Sequence, residues 1–433
     1  MHIIVIAVGT AGDVYPLLGL SRTFADHGHK VSFCTSPAFA GSVERCGLRF
    51  LPLGTVELYR STVDDPELWK PKTSLKVLWS GVAKTIRPLF DLMCAEADNE
   101  TIIAGHPWAF GARFFQEKYG VPMVTLQVSP STFLSAKRPP IHKQLNIPLI
   151  LPYPVRAGLL WALERVMLDP VCAPDINRAR AEIGLPPVRR VMGRWMHSPD
   201  GVLGLFPEWF APPQSDWPPR VQLTGFPLFD DAASHGSDPE LEDFLAKGDP
   251  PVVFTPGSTL VKETEYINTV AAALDSVGCR GIILGGRGKV SQRRKPDLIA
   301  RSYAPLGKLL PRARALVHHG GIGTASQAFA AGVPQLITPF AHDQFDNAAR
   351  VVRLGCGIQS GKSGSTEEIP ALLTRLLADE AIQQKCIAIR AEVDSGEASC
   401  RRVLTAIETI AIRSLRVNVA DPPRHVQPSL KSA

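Results

Sequence analysis

The chain opens twice in the same way. A run of apolar residues, Ile3-Ile4-Val5-Ile6-Ala7-Val8, meets the small-residue turn Gly9-Thr10-Ala11-Gly12 and passes into a helical pattern through Leu17, Leu18, Leu20 and Phe24. In the second half, Pro251-Val252-Val253-Phe254-Thr255 meets Pro256-Gly257-Ser258-Thr259 and a pattern through Ile267, Val270 and Leu274. A short apolar strand, a glycine turn and an amphipathic helix form the opening of a βα unit. Further candidate strands follow the first opening at 31–35, 101–104 and 123–127, and the second at 281–284, 315–318 and 335–338, with helical patterns between them. That alternation predicts an α/β chain of two Rossmann-like, doubly wound parallel-sheet domains.

The 433 residues suit two domains at roughly 100–200 residues each. The Pro-rich stretch from Phe210 to Pro219 and the polar loop from Asp230 to Pro239 put the boundary near 225–250. The expected division is 1–228, 229–412 and a tail from 413 to 433 with little periodicity. Nothing reaches the roughly 18 consecutive apolar residues a membrane span needs. The apolar start reads as a strand because it lacks a basic leader region. The eight cysteines are scattered, the closest pair being Cys34 and Cys46, so no CxxC motif exists and reduced, cytoplasmic thiols are expected. The net charge of +6 is dispersed along the chain, which argues against a nucleic-acid binder.

The densest chemistry lies in Leu316-Val317-His318-His319-Gly320-Gly321-Ile322-Gly323-Thr324. A strand that ends in histidines, a glycine turn and a helix start bring backbone N–H groups and the positive end of a helix dipole to one point, which suits a pyrophosphate. The same residues also make an ordinary tight βα turn with no ligand. Asp343 and Gln344, after the strand at 335–338, can hold adjacent sugar hydroxyls, although Asp343 is equally a good helix cap. Ser258 and Thr259 offer phosphate donors or a simple hydroxyl turn. In the first half Asp13 stands just past the first strand, as a base for an attacking hydroxyl or as a cap of the first helix. His27, His29 and His106 read as ordinary polar histidines. Aromatic and basic stretches around Trp69 and Trp161 read as packed helices, with an oily acceptor channel or a bilayer contact as the functional option. Gly361-Lys362-Ser363 and Gly286-Arg287-Gly288 miss the spacing of phosphate-binding loops.

Tyr303-Ala304-Pro305-Leu306, Leu309-Leu310-Pro311, the His318–Thr324 turn, Gly332-Val333-Pro334 and Asp343-Gln344 with Asn347 together resemble the donor signature of nucleotide-sugar glycosyltransferases of the GT-B fold, in order and spacing. The opening Gly9–Pro16 resembles the lipid- and sterol-glycosylating branch. Segments outside the donor signature, among them Asp65–Trp69, Val128–Thr132, Cys172–Asn177, Trp195–Pro199, Trp209–Gln214 and Gly225–Asp230, are similar to the rhamnosyltransferases of bacterial rhamnolipid synthesis.

This resemblance implies inverting, metal-independent transfer of L-rhamnose from dTDP-L-rhamnose, a co-substrate rather than a cofactor. The acceptor would be the hydroxyl of a 3-(3-hydroxyalkanoyloxy)alkanoate and the product a mono-rhamnolipid. It further implies that His319, Gly321, Gly323 and Thr324, with Ser258 and Thr259, hold the pyrophosphate. Tyr303, Ala304 and Gln327 would then meet the base and ribose, and Asp343 with Gln344 the sugar. Gln327 stands where uridine-using relatives carry a glutamate, and Asp13 where many carry a histidine base. The implied partners are the donor, a lipid hydroxyacid and an acyltransferase chain in a loose complex at the inner membrane face. Transfer of another sugar to a sterol or macrolide, a GT-B epimerase or hydrolase, and a non-catalytic nucleotide-sugar binder are the competing readings.

Overall fold

The computed structural model describes residues 1–143, 146–230, 238–255, 263–285, 297–361 and 368–420, the side chains of 263–268 and 414–420 excepted. Strands β1 (His2–Ile6), β2 (Lys30–Thr35), β3 (Arg49–Pro52), β4 (Thr101–Gly105), β5 (Met123–Gln127), β6 (Val202–Gly204) and β7 (Val221–Leu223) make one sheet in the order β3-β2-β1-β4-β5-β6-β7. Strands β8 (Val252–Thr255), β9 (Gly281–Leu284), β10 (Leu298–Arg301), β11 (Ala315–His318), β12 (Gln335–Ile337) and β13 (Gly357–Gln359) make the other in the order β10-β9-β8-β11-β12-β13. The described pairs are parallel throughout. Two doubly wound α/β domains are what the sequence leads one to expect.

The apolar runs explain why these strands are central. All five residues of β1 are buried, with Ile3 and Val5 packed into one helix layer and Ile4 and Ile6 into the other. In β8, Val252 and Phe254 face one layer and Val253 the opposite one. Each sheet reverses its direction of winding beside its central strand, between β1 and β4 and again between β8 and β11. Loops leaving the carboxyl ends of such a strand pair diverge to opposite faces and open a crevice.

The last described helix, Gly396–Ala420, returns to the first sheet. Val403, Leu404, Ile407 and Ile410 share a core with Leu17, Leu20 and Phe24 of the helix Ala11–Asp26. Burying each contributes roughly 1.5–3 kcal/mol. Arg402 Nε donates to the Thr224 carbonyl at 2.9 Å. Gly225, at φ +88°, lets the connecting strand pass the helix, since a Cβ there would stand 2.5 Å from Ser399 Oγ. The stretch 396–420, which the sequence divides between the second domain and a tail, is thus one helix that leaves the second domain and packs on the first. Residues 421–433 lie outside the described part.

Candidate functional site

At the first reversal point the β1–β4 register sets Ile6 beside Gly105, so the residues that follow each strand are neighbours. His106 N donates to the Ile6 carbonyl at 2.8 Å. Asp13 lies in the first turn of the helix Ala11–Asp26, and its carboxylate both takes part in the capping of that helix and lines the cleft. Its Oδ2 accepts from Thr10 N (2.8 Å) and Thr10 Oγ1 (3.3 Å), so that Thr10 is the cap and Asp13 the N3 member of a capping box. Its Oδ1 stands 3.5 Å from His106 Nε2. Gly9, at φ +143°, makes room for the folded-back carboxylate, because a Cβ there would fall 2.1 Å from Oδ2. His106 is not the ordinary polar histidine expected. It is buried, and its Nδ1 accepts from Trp108 N at 3.3 Å, which leaves the ring proton on the Nε2 that faces Asp13. The Asp13 side chain is 27% exposed against 6% for His106, so the carboxylate is the member a substrate can reach.

At the second reversal point β11 delivers His318 and His319 into the glycine turn. His318 is fully buried; its Nδ1 accepts from Gly320 N (3.2 Å) and its Nε2 donates to Gln335 Oε1 (3.1 Å). Burial lowers it to about 3 and holds it neutral, so its role is to shape the turn. His319 turns toward the cleft. Burial lowers it to about 4, partly offset by the Thr255 backbone, so it offers a ligand a neutral imidazole. Gly320 has φ +97°, and a Cβ at Gly321 would meet His319 Nε2 at 2.7 Å. Gly321 caps the helix Ile322–Ala331, whose first internal bond runs from Ala325 N to the Gly321 carbonyl at 3.0 Å. The N–H groups of Ile322, Gly323 and Thr324 precede it, where a helix lacks internal acceptors. A Cβ on Gly323 would meet nothing within 4 Å. Such an arrangement, free helix-start N–H groups with open space in front of them, can hold an anion.

Asp343 begins the helix Gln344–Arg353 but makes no side-chain cap bond. Asn347 Nδ2 bridges Asp343 Oδ2 (2.9 Å) and the Gly320 carbonyl (3.0 Å), tying the carboxylate to the glycine turn. The Asp343 carboxyl is pushed up to about 6, first by burial and then by the negative charge of Asp13 and Asp346, against hydrogen bonds from Asn347 and Ser129. His342 before it has φ +49°, a costly conformation for a non-glycine residue. Trp69 of the first domain packs edge-on against the His342 and Phe340 rings at 5.3 and 5.7 Å and holds this loop. Gln344 Oε1 accepts from Phe340 N (2.9 Å) and Ala341 N (3.0 Å), which leaves its amide N–H groups for a ligand.

Tyr303 donates its hydroxyl to the Asp230 carbonyl, and Asp230 Oδ2 accepts from Gly307 N at 2.8 Å. Ala304 and Gln327 are buried beside them. Ser258 and Thr259 lie outside the described residues.

Asp13, His106, Tyr303, Ala304, His319, Gly321, Gly323, Thr324, Gln327, Asp343 and Gln344 line one interdomain cavity of about 2850 Å³. Its first-domain wall is largely apolar and includes Tyr59, Leu78, Trp108, Leu134, Met167 and Met192. Trp69 belongs to it, but Trp161 does not; that ring is 58% exposed on the outside. Among the described residues no three His, Cys, Asp or Glu side chains gather as a metal-ligand group.

Residues 3–137 match the model of the glycosyltransferase family 28 N-terminal domain, and residues 282–408 that of the erythromycin biosynthesis protein CIII-like C-terminal domain. The O-mycaminosyltylonolide 6-deoxyallosyltransferase of Streptomyces fradiae is 30% identical over 384 residues, covering 82% of this chain and 84% of that protein. The sterol 3-beta-glucosyltransferase UGT80A2 of Arabidopsis thaliana is 28% identical over 382 residues, 82% of this chain but 57% of the plant protein, so the chain spans little more than half that relative's length. The crystal structure of the glycosyltransferase VinC in complex with dTDP shares the fold at a TM-score of 0.66 and 17% identity, covering 95% of this chain and 100% of that one. With its two facing sheets, its cleft and these matches, the chain belongs to the family 28, EryCIII-like glycosyltransferases of the GT-B fold.

Proposed function

We propose that the chain is an inverting glycosyltransferase that moves L-rhamnose from dTDP-L-rhamnose to the hydroxyl of a 3-(3-hydroxyalkanoyloxy)alkanoate, giving a mono-rhamnolipid. The observation that carries this reading is the single cavity in which Asp13 and an apolar wall stand opposite the helix start at Gly323 and Thr324. In the proposed step Asp13 Oδ1 takes the acceptor hydroxyl proton while the oxygen attacks the anomeric carbon. The bond from that carbon to the diphosphate breaks, and its electron pair leaves with dTDP. His106 Nε2–H supports the carboxylate through the transfer. The N–H groups of Ile322, Gly323 and Thr324, with neutral His319, stabilise the charge growing on the diphosphate, an effect worth about 2.7–4 kcal/mol for one well-placed donor. Asp343 and the Gln344 amide hold the sugar hydroxyls. No metal or cofactor enters this scheme, and chelation with EDTA should leave turnover unchanged.

Three observations support the choice of substrates. Gln327, a neutral side chain, lies beside Tyr303 and Ala304 where the nucleoside would sit, which suits a ribose without a 2′-hydroxyl. The Streptomyces fradiae relative is named for transfer of a deoxyhexose, and the VinC structure holds dTDP. The first-domain wall carries Arg60, Lys70, Lys72, Lys76 and Lys143 against Asp13 and Asp64. Such an excess of cations favours an acceptor with its own carboxylate over a sterol or macrolide that lacks one, the second reading. A separate acyltransferase at the inner membrane face of the cytoplasm would supply that lipid. The test is mass spectrometry of the products formed by the purified chain from dTDP-rhamnose and UDP-glucose in competition, with a hydroxyacid dimer and a sterol both present. Rhamnosylated dimer is the expected product; a glucosylated sterol, or no glycoside, overturns the proposal.

A further inference from the structure

The segment 146–168 breaks a rule that the rest of the chain obeys. A helix apolar on every side belongs in an interior. Yet in the helix Tyr153–Leu163 only Leu160 is buried. Around it Leu149 is 63% exposed, Ile150 91%, Leu159 45%, Trp161 58%, Val166 71% and Met167 58%. Most of the large apolar side chains exposed among the described residues fall in this one stretch of sequence. Its underside rests on a small cluster of Ala136, Ile147 and Leu160. The helix therefore projects from the domain with its apolar surface facing outward.

Along the segment itself the exposed charges have one sign, and Asp216, which meets it at 135–137, is half-buried and taken up by Ser135 Oγ, Ala136 N and Lys137 N. Lys137, Arg138 and Arg165 are exposed, and Arg156 is anchored through Nη1 to the Lys137 and Leu149 carbonyls, both at 3.4 Å. From 137 to 168 the only carboxylate is Glu164, and it is buried and paired with Arg190 at 2.8 Å. Aliphatic and tryptophan side chains among exposed bases, with no exposed acid, complement the acyl–headgroup boundary of an anionic bilayer. A second copy of the chain would set the same bases against one another. The patch also continues inward, because Leu163, Val166, Met167 and Leu168 line the cleft that holds Asp13. Among the described residues no helix is long and apolar enough to cross a membrane, so the contact is one of lying on the surface.

We infer that the segment 146–168 seats the protein on an anionic membrane surface and opens the cleft sideways to lipid, so that the acceptor enters along Val166 and Met167 without passing through water. The membrane contact goes beyond the transferase proposal; only the route of the acceptor rests on it.

The test is sedimentation of the full chain with vesicles of phosphatidylglycerol and phosphatidylcholine in equal parts. The wild type should bind them, and bind pure phosphatidylcholine vesicles at least several-fold less. Ile150→Glu with Trp161→Glu, two outward side chains, should weaken binding to the anionic vesicles by about tenfold or more, with circular dichroism and dTDP affinity unchanged. Wild-type protein that stays in the supernatant, a double variant that binds as the wild type does, or a solution dimer that the double variant dissolves would each overturn the inference. Transfer to a short-chain, water-soluble acceptor is measured in parallel. Its absence from the wild type counts against the transferase proposal and not against the membrane face.

Discussion

His106 Nε2 stands 3.5 Å from Asp13 Oδ1, and the two residues leave neighbouring strands where the first sheet reverses its winding. The histidine's other nitrogen is occupied by Trp108 N, and the carboxylate's other oxygen by Thr10. Each partner is therefore fixed on one side and left with one atom facing the other. Replacing Asp13 with Asn keeps an acceptor for the Thr10 N–H, so stability should change by less than about 1 kcal/mol. Turnover should fall roughly 10²–10⁴-fold, the usual contribution of a positioned base. His106→Ala should lower kcat less steeply and shift the pH profile of kcat, with the donor KM held. Steady-state kinetics across pH with both variants checks this.

Gly323→Ala separates binding from folding. The site lies in the first turn of a helix and its Cβ would meet no protein atom, so the fold should gain roughly 0.5–1 kcal/mol from the lost chain entropy. The added methyl would occupy the approach to the Gly323 and Thr324 N–H groups, and dTDP affinity should drop about tenfold or more. Thermal melting and calorimetric titration of dTDP read the two effects separately.

Asp343 sets a pH limit. Its carboxyl titrates at about 6, above the ordinary 3.8, so the folded chain binds a proton that the unfolded chain releases. Its contribution to stability is fully present below 3.8 and is lost as pH rises through 6. Asp343→Asn should accordingly melt higher than the wild type at pH 7 and close to it at pH 4. Only the charged carboxylate accepts hydroxyl protons on both oxygens, so wild-type affinity for the sugar donor should weaken as pH falls through 6 while affinity for dTDP alone holds. Titrations of both ligands from pH 5 to about 8 check the sign.

Trp69 couples the domains through the loop that aims Asp343. Trp69→Ala should raise the donor KM about tenfold, because His342 keeps its left-handed conformation only while its surroundings impose it. Trp161→Ala, outside the cavity, should leave kinetics with a soluble acceptor unchanged.

The strand openings at 3–8 and 251–255 and the segment from 303 to 347 were legible because their chemistry is local: an apolar run, a glycine turn, a helix start. His106 was not. It follows β4 as Asp13 follows β1, but that equivalence becomes a contact only through the sheet order, which no local pattern carries. Strands β6, β7 and β13 have three residues each, too few for a period, and unlike the equally short β12 they lie outside the 303–347 motif; β3 ends in Pro52. The packing of the helix Gly396–Ala420 on the first sheet was not legible either, since its partners Leu17 and Leu20 lie at the opposite end of the chain. Trp69 and Trp161 share one reading in the sequence, packed helices with an acceptor channel or a bilayer contact as the functional option, yet one ring lines the cleft and the other faces outward. The composition is similar in both places, and only the fold tells them apart.

The central claim is that a diphosphate and an acceptor base face one another across this cleft. A crystal structure of the chain with bound dTDP tests it most directly. The account predicts the terminal phosphate within hydrogen-bond reach of Gly323 N and Thr324 N, on the side of the cavity that faces Asp13. A nucleotide bound with its phosphates away from that helix start, or with Asp13 screened from them by intervening chain, would contradict it.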